Sequence, residues 1–167
     1  IELIVEIDLD FNVVPKKGLK NIHKIDAFLS ADLTELYIDN DDYMNETNRG
    51  RFSLAHEMGH FVMHKEIVQT VTSIDDWKKR ILGDGSRRAL LENEANDFAG
   101  CVLMPRQALQ KEYDQQMTKA EQEFKKLGLS LKDTSVVDSY IAVAIGKVFG
   151  VSQQAAEIRI YKAIKRK

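Results

Sequence analysis

The chain has 167 residues, of which 44% are hydrophobic and 30% charged, so it can bury a core without disulfide staples. Twenty-four Lys and Arg stand against 26 Asp and Glu; the net charge of −2 argues against a surface that binds polyanions as a whole, although a local basic patch stays open. The single cysteine excludes an internal disulfide framework and a multi-Cys zinc site. The longest apolar stretch, Ile141 to Gly146, is far too short to span a bilayer, so no membrane partner is expected. The chain opens at Ile1 with no basic region ahead of its apolar residues, so no signal peptide is expected and a reducing cytoplasm is.

Residues 1–40 read as a β-rich part. Leu3, Val5 and Ile7 alternate with charged residues at the period of a half-buried strand. Phe11 to Val14 is a second β candidate, ended by Pro15, and Lys24–Leu29 with Leu33–Asp39 flank a Ser-Ala-Asp turn as a hairpin would. Residues 39–48 read as a solvated turn, because the acidic cluster lacks the glycine and terminal Glu of a calcium loop. Residues 48–127 read as a helical part. One helix is expected from about Arg49 to His64, capped by Thr47 or Asn48, with Phe52, Ala55, Gly59 and Val62 facing inward. A short helix over Asp75 to Leu82 and a strong one from about Arg88 to Met104 follow, the latter ended by Pro105, which can open the next helix. Residues 106–127 form a polar helix closed by Gly128. Residues 133–167 read as a helix-turn-helix-like pair, broken at Gly150 and restarted by Ser152, with Ile158, Tyr161 and Ile164 on the inner face. One domain over 1–167 is the expected organisation.

The chemistry concentrates in Phe52-Ser-Leu-Ala-His-Glu-Met-Gly-His60, an H-E-x-x-H pattern on a predicted helix. Residues four apart lie on one helix face, separated by roughly 6 Å along the axis, so His56 and His60 can converge on one ion. Glu57 sits one position round, where it can take a proton from a water at that ion without being a ligand. His64 continues the series, but on a straight helix it lies about 12 Å along the axis from His56, too far to share the ion. It reads better as a helix-end residue or one that supports a ligand from behind. His23, in the β region, reads as a surface or structural histidine. A carboxylate is then the next candidate for a third ligand. Glu92, Ala95, Asn96 and Ala99 share one face of the later helix, whereas Glu94 points about 160° from Glu92. The small Ala95 and Ala99 match Ala55 and Gly59, so the two backbones can approach closely. Taken alone, Glu92 reads as an exposed carboxylate favoured by a helix N-terminus. Asn96 fits equally a residue that orients a ligand and an ordinary polar residue at a core edge. Cys101, on the opposite side of that helix from Glu92, reads as a buried packing residue.

Together, Arg51-Phe-Ser-Leu-Ala-His-Glu-Met-Gly-His60 and Glu92-Asn-Glu-Ala-Asn-Asp-Phe-Ala-Gly-Cys-Val-Leu-Met-Pro105 resemble the ImmA/IrrE family of metallopeptidases, and Phe149 to Arg159 resembles that family's helical ending. The resemblance implies an α+β, zincin-like metallopeptidase domain, with a small N-terminal sheet packed on a mostly helical body. It implies one zinc ion per chain held by His56, His60 and Glu92, with Glu57 as the catalytic carboxylate. It further implies a cytoplasmic endopeptidase whose substrate is a helix-turn-helix transcriptional repressor. No residue for stabilising the transition state follows from the motif; Tyr43, Tyr113, Tyr140 and His64 all stay open. The alternative is a DNA-binding or regulatory module, antitoxin-like or effector-sensing, that keeps a metal site without turnover. Arg159, Lys162, Lys165, Arg166 and Lys167 make the last helix basic, but inward-facing Ile158 and Tyr161 would leave few short polar residues to read bases, which argues against direct DNA binding.

Overall fold

A computed structural model describes residues 11–45, 47–73, 76, 86–128 and 134–166. Two compact units emerge, residues 1–99 and 100–167. The expected strand at Leu3–Ile7 and the expected helix over Asp75–Leu82 lie outside the described residues, apart from Asp76.

In the first unit, β1 (Asn12–Lys16), β2 (Ala27–Leu29) and β3 (Glu35–Asp39) form a sheet of order β1-β3-β2. β3 runs parallel to β1 and antiparallel to β2, with Val13 opposite Leu36 and Phe28 opposite Tyr37. The predicted hairpin is therefore present, with its turn tied by Asp32, which accepts from the Thr34 hydroxyl at 2.8 Å and from Ser30 at 2.6 Å. Pro15 continues β1 rather than ending it. It lacks only an N–H, and β1 is an outer strand of the three described, where that loss is tolerated.

Alternation sorts the sheet's side chains into two buried layers. Val13, Ala27, Leu29, Leu36 and Ile38 gather on one face with Phe11, Leu54, Met58 and Val68. Phe28 joins Leu19, Ile25 and Val71 in the other cluster, against which Tyr37 packs, its ring stacked on Phe28 at 4.7 Å. Leu19 comes from α1 (Leu19–His23), so that helix covers the second layer. Complete burial of a side chain such as Leu36 or Ile38 stabilises the unit by about 1.5–3 kcal/mol.

The connection read as a solvated turn instead begins as α2 (Asn40–Met44). Asp39 caps it through Asp41 N–H, and its other oxygen accepts from Lys20 N–H at 2.9 Å. Asp42 is buried because Lys20 Nζ, at 2.9 Å, and the Thr47 hydroxyl, at 3.0 Å, satisfy it. Thr47 also caps α3 (Asn48–Met63), accepting from Gly50 N–H. A Cβ on Gly50 would sit 2.7 Å from the Asp42 carbonyl oxygen, so α3 can start here only with glycine. Gly50→Ala is expected to destabilise the protein by about 1–3 kcal/mol, read from the midpoint of denaturant unfolding.

α3 lies on the first layer through Leu54 and Met58. Val62 was expected on this face but is 58% exposed, because the face turns through Met58 and Phe61 rather than through residue 62. α4 (Lys65–Val68) follows after a break at His64. α5 (Ser86–Leu103) begins in the first unit and ends in the second.

The second unit contains α6 (Arg106–Lys126), α7 (Thr134–Phe149) and α8 (Gln153–Ile160), which continues as a wider π-helical turn over Tyr161–Lys165. Pro105 is the cap residue of α6 rather than its first helical residue. Gly128 and Gly150 take positive φ, the conformation that ends α6 and α7, and Ser152 caps α8 through Ala155 N–H. The inner face of the last helix is Ala156, Ile160 and Ala163; Ile158 and Tyr161 are 49% and 62% exposed, against the sequence expectation. Small Ala156 and Ala163 are buried in place of the larger Ile158 and Tyr161, and the π turn shifts the register beyond Ile160. Cys101 is exposed rather than packed, since α5 buries Ala99, Gly100 and Leu103 around it. No described helix is long and apolar enough to cross a membrane.

Candidate metal centre

His56 and His60 project from one face of α3, as the four-residue spacing requires, and Glu92 reaches them from the second turn of α5. The two Nε2 atoms are 3.0 Å apart. Glu92 places Oε2 at 3.4 Å from His56 Nε2 and Oε1 at 3.5 Å from His60 Nε2. One ligand atom from each residue lies within 4.8 Å of the others, and this is the metal-competent group found among the described residues.

The close approach of the two helices has a local cause. A Cβ on Gly59 would lie 3.0 Å from Ala95 Cα and 3.2 Å from both Ala95 O and Phe98 Cβ. Glycine on α3 opposite alanine on α5 thus lets the backbones close to where a glutamate can reach an imidazole pair.

The protons around the group favour a cation. His56 Nδ1 lies 3.0 Å from Asn96 Oδ1, so Nδ1–H donates and Nε2 keeps its lone pair. Asn96 is thus in contact with His56, as an orienting role would require. Two imidazole nitrogens and a carboxylate in mutual contact repel unless a positive charge lies among them. Glu92 Oε1 is buried with no hydrogen-bond partner among the described residues. The electrostatics agree. Burial pushes the Glu92 carboxyl up, but His56 and His60 hold it down to about 2. Burial pulls the His56 imidazolium down, yet the hydrogen bond to Glu92 and the charges of Glu57 and Glu92 leave it above the ordinary histidine value. His60 lies below that value, chiefly through burial, which together with the charge of His56 outweighs the pull of Glu92. Two imidazole nitrogens and a carboxylate oxygen are donor types that would fit a zinc ion.

Glu57 is 2% exposed, which is rare for a carboxylate. Burial raises it to about 8, against the charge of His56, which lowers it; Leu29 N–H also holds it down. That N–H is free for the task because Leu29 alternates with the β2 residues bonded to β3. Asp26 O accepts from Asp39 N–H and Ser30 N–H donates to Glu35 O, so the alternate residues Ala27 and Leu29 turn their N–H groups away from β3. Glu57 Oε2 has no hydrogen-bond partner among the described residues. A buried carboxylate with one oxygen held and one open, next in sequence to a metal-competent histidine, is arranged to exchange a proton.

His64 stands outside the metal-competent group. It ends α3, where the chain breaks, and its ring turns back so that Nδ1 is 2.9 Å from His60 Nδ1. Its Nε2 is 3.0 Å from Glu94 Oε2. Glu94, set aside at the sequence level because it points away from Glu92, therefore faces His64. The i, i+4 spacing of His60 and His64 carried the signal, and the sequence offered His64 as a helix-end residue or one behind a ligand, but nothing in the spacing pointed to Glu94. His23 lies at the end of α1. Of the tyrosines left open, Tyr43 packs on the first sheet layer, Tyr113 donates its hydroxyl to Asp138 at 2.6 Å, and Tyr140 is exposed on α7. His64 spends both ring nitrogens on its two neighbours.

An H-E-x-x-H helix paired with a glutamate from a neighbouring helix, over a small mixed sheet, defines a metallopeptidase-type centre in an α+β domain. The chain belongs to the peptidase family described as the IrrE N-terminal-like domain, whose model matches residues 40–161. No match was found among curated proteins or among solved structures.

Proposed function

We propose that this protein is a cytoplasmic zinc-dependent endopeptidase that cuts one specific protein, a helix-turn-helix transcriptional repressor. One zinc ion per chain is held by His56, His60 and Glu92, and Glu57 is the general base. The observation that carries this reading is the contact of three acceptor groups, 3.0 to 3.5 Å apart, beside a buried carboxylate that ligates none of them. Family membership supports peptide-bond hydrolysis, and the ImmA/IrrE resemblance supports the repressor as substrate.

Zinc in such a site acts as a Lewis acid that brings the pKa of water towards neutrality and polarises a carbonyl. The chain's own residues do the rest. Asn96 keeps the His56 Nε2 lone pair turned inward. Glu57 takes a proton from water as its oxygen adds to the scissile carbonyl carbon. The same carboxyl gives that proton to the departing amine as the C–N bond breaks, so one water is consumed and one acid and one amine are released.

The test is cleavage of a helix-turn-helix repressor, taken from beside this gene where one is encoded there, before and after removal of metal by a chelator. Cleavage is expected to stop on removal and to return with about one zinc per chain. Undiminished cleavage by protein that metal analysis shows to be empty would overturn the proposal.

A further inference from the structure

Two histidine rings meeting through their Nδ1 atoms, at 2.9 Å, must share one hydrogen between them. Which ring carries it follows from the far side of His64. Its Nε2 faces the Glu94 carboxylate at 3.0 Å, and a carboxylate only accepts, so His64 carries its hydrogen on Nε2. A neutral His64 then has a bare Nδ1 and accepts from His60 Nδ1–H. That leaves the lone pair of His60 on Nε2, the atom that faces His56 and Glu92.

We propose that His64 and Glu94 are positioning residues: a Glu94–His64–His60 chain that sets the tautomer of His60 and so makes its Nε2 a metal ligand. Asn96 does the same for His56 in a single step, with a carbonyl oxygen 3.0 Å from Nδ1. The two histidines of the motif are thus oriented from separate supports, one on the exposed side of α5 and one at the buried break after α3. His64 is 5% exposed, and an uncompensated imidazole would be costly there. Its exposed partner Glu94, with 45% of its side chain in solvent, ties the buried pair to the surface. Partners of this kind turn a ligand and raise its basicity, and their loss commonly weakens metal binding by about 10- to 100-fold.

The inference rests on reading His60 as a ligand, but its first readout needs neither metal nor cleavage. Nitrogen-15 NMR of the metal-free protein in alkaline buffer is expected to show His60 protonated on Nδ1 and His64 on Nε2. In His64→Ala, His60 is expected to shift towards the Nε2–H form, and zinc affinity, measured by chelator competition, to fall about 10- to 100-fold. His64→Asn places a carbonyl oxygen where Nδ1 stood, as Asn96 does for His56, and should restore both signals to within about threefold of wild type. Glu94→Ala trims a side chain that is 45% in solvent and fills no core position, so it should fold even if the His64 variants do not; a loss of about 3- to 10-fold in zinc affinity is expected, with mixed tautomers at His64. His60 protonated on Nε2 in the wild type would overturn the proposal. So would folded Asn and Ala variants that are equally weak, or a Glu94→Ala protein unchanged in both tautomer and affinity. Cleavage lost in Glu57→Gln but these signals intact would leave the chain standing; absent cleavage in the wild type with the expected tautomers would count against the peptidase reading alone.

Discussion

Glu57→Gln is expected to cut repressor cleavage by about 10²- to 10⁴-fold while the protein still binds one zinc per chain. The carboxylate lies outside the three-residue group, so its loss would remove the proposed proton exchange and leave the donor atoms in place. Loss of zinc together with cleavage would show instead that Glu57 serves as a ligand. The same substitution has a second consequence in the metal-free protein. Glu57 has an ordinary value of 4.5 and is raised to about 8 in the folded state. The folded protein therefore holds a proton that the unfolded chain releases, so the contribution of Glu57 to stability is greatest below pH 4.5, declines as pH rises, and levels off once pH passes about 8. Glutamine, always neutral, does not incur that decline. Metal-free Glu57→Gln should melt near the wild-type temperature in acid and above it in alkali. The shift sets an upper bound on the order of 5 kcal/mol for the difference. Thermal melts across the pH range check it, and parallel curves would contradict burial as the cause.

Gly59→Val is expected to damage both stability and metal binding. Its Cβ would meet Ala95 Cα at 3.0 Å, and the two branching methyls would have to displace α5 rather than a flexible side chain. Overpacking of this kind costs about 1–3 kcal/mol. Because Glu92 rides on α5, moving that helix away from α3 also draws its carboxylate from the imidazole pair, for a loss in zinc affinity of about 10- to 100-fold. Denaturant unfolding and chelator competition measure the two effects. A Val variant that binds zinc as wild type does would mean that α5 is placed by something other than this contact.

The α3 helix and its chemistry were readable from spacing, because i, i+4 periodicity acts within one helix and needs no partner. Thr47 as cap, the inward Ala55 and Gly59, and the convergence of His56 on His60 are local consequences of helical spacing, whereas the burial of Leu54 and Met58 came from the sheet they pack on. The hairpin was equally readable, since a turn and two alternating strands are neighbours in the chain. The faces of the last helix were not. Ile158 and Tyr161 are apolar by composition but exposed in the fold, because close packing there selected Ala156 and Ala163. Cys101 was misjudged for the same reason: small or apolar residue type is weak evidence for burial when the packing partner is unknown. Asp42 shows the converse, a carboxylate buried because Lys20, far away in sequence, and Thr47 meet it.

From its residues alone the chain dictated which helix could present two imidazoles and an adjacent carboxylate, since helical geometry sets those directions regardless of what surrounds them. That Glu92 meets the pair, that Glu94 meets His64, and that Leu29 holds Glu57 depended on the packing of α5 and β2 around α3. Those contacts join residues 28 to 36 positions apart, and no periodicity reaches that far. Their distances are set by steric fit, above all by a glycine and an alanine that let two backbones touch.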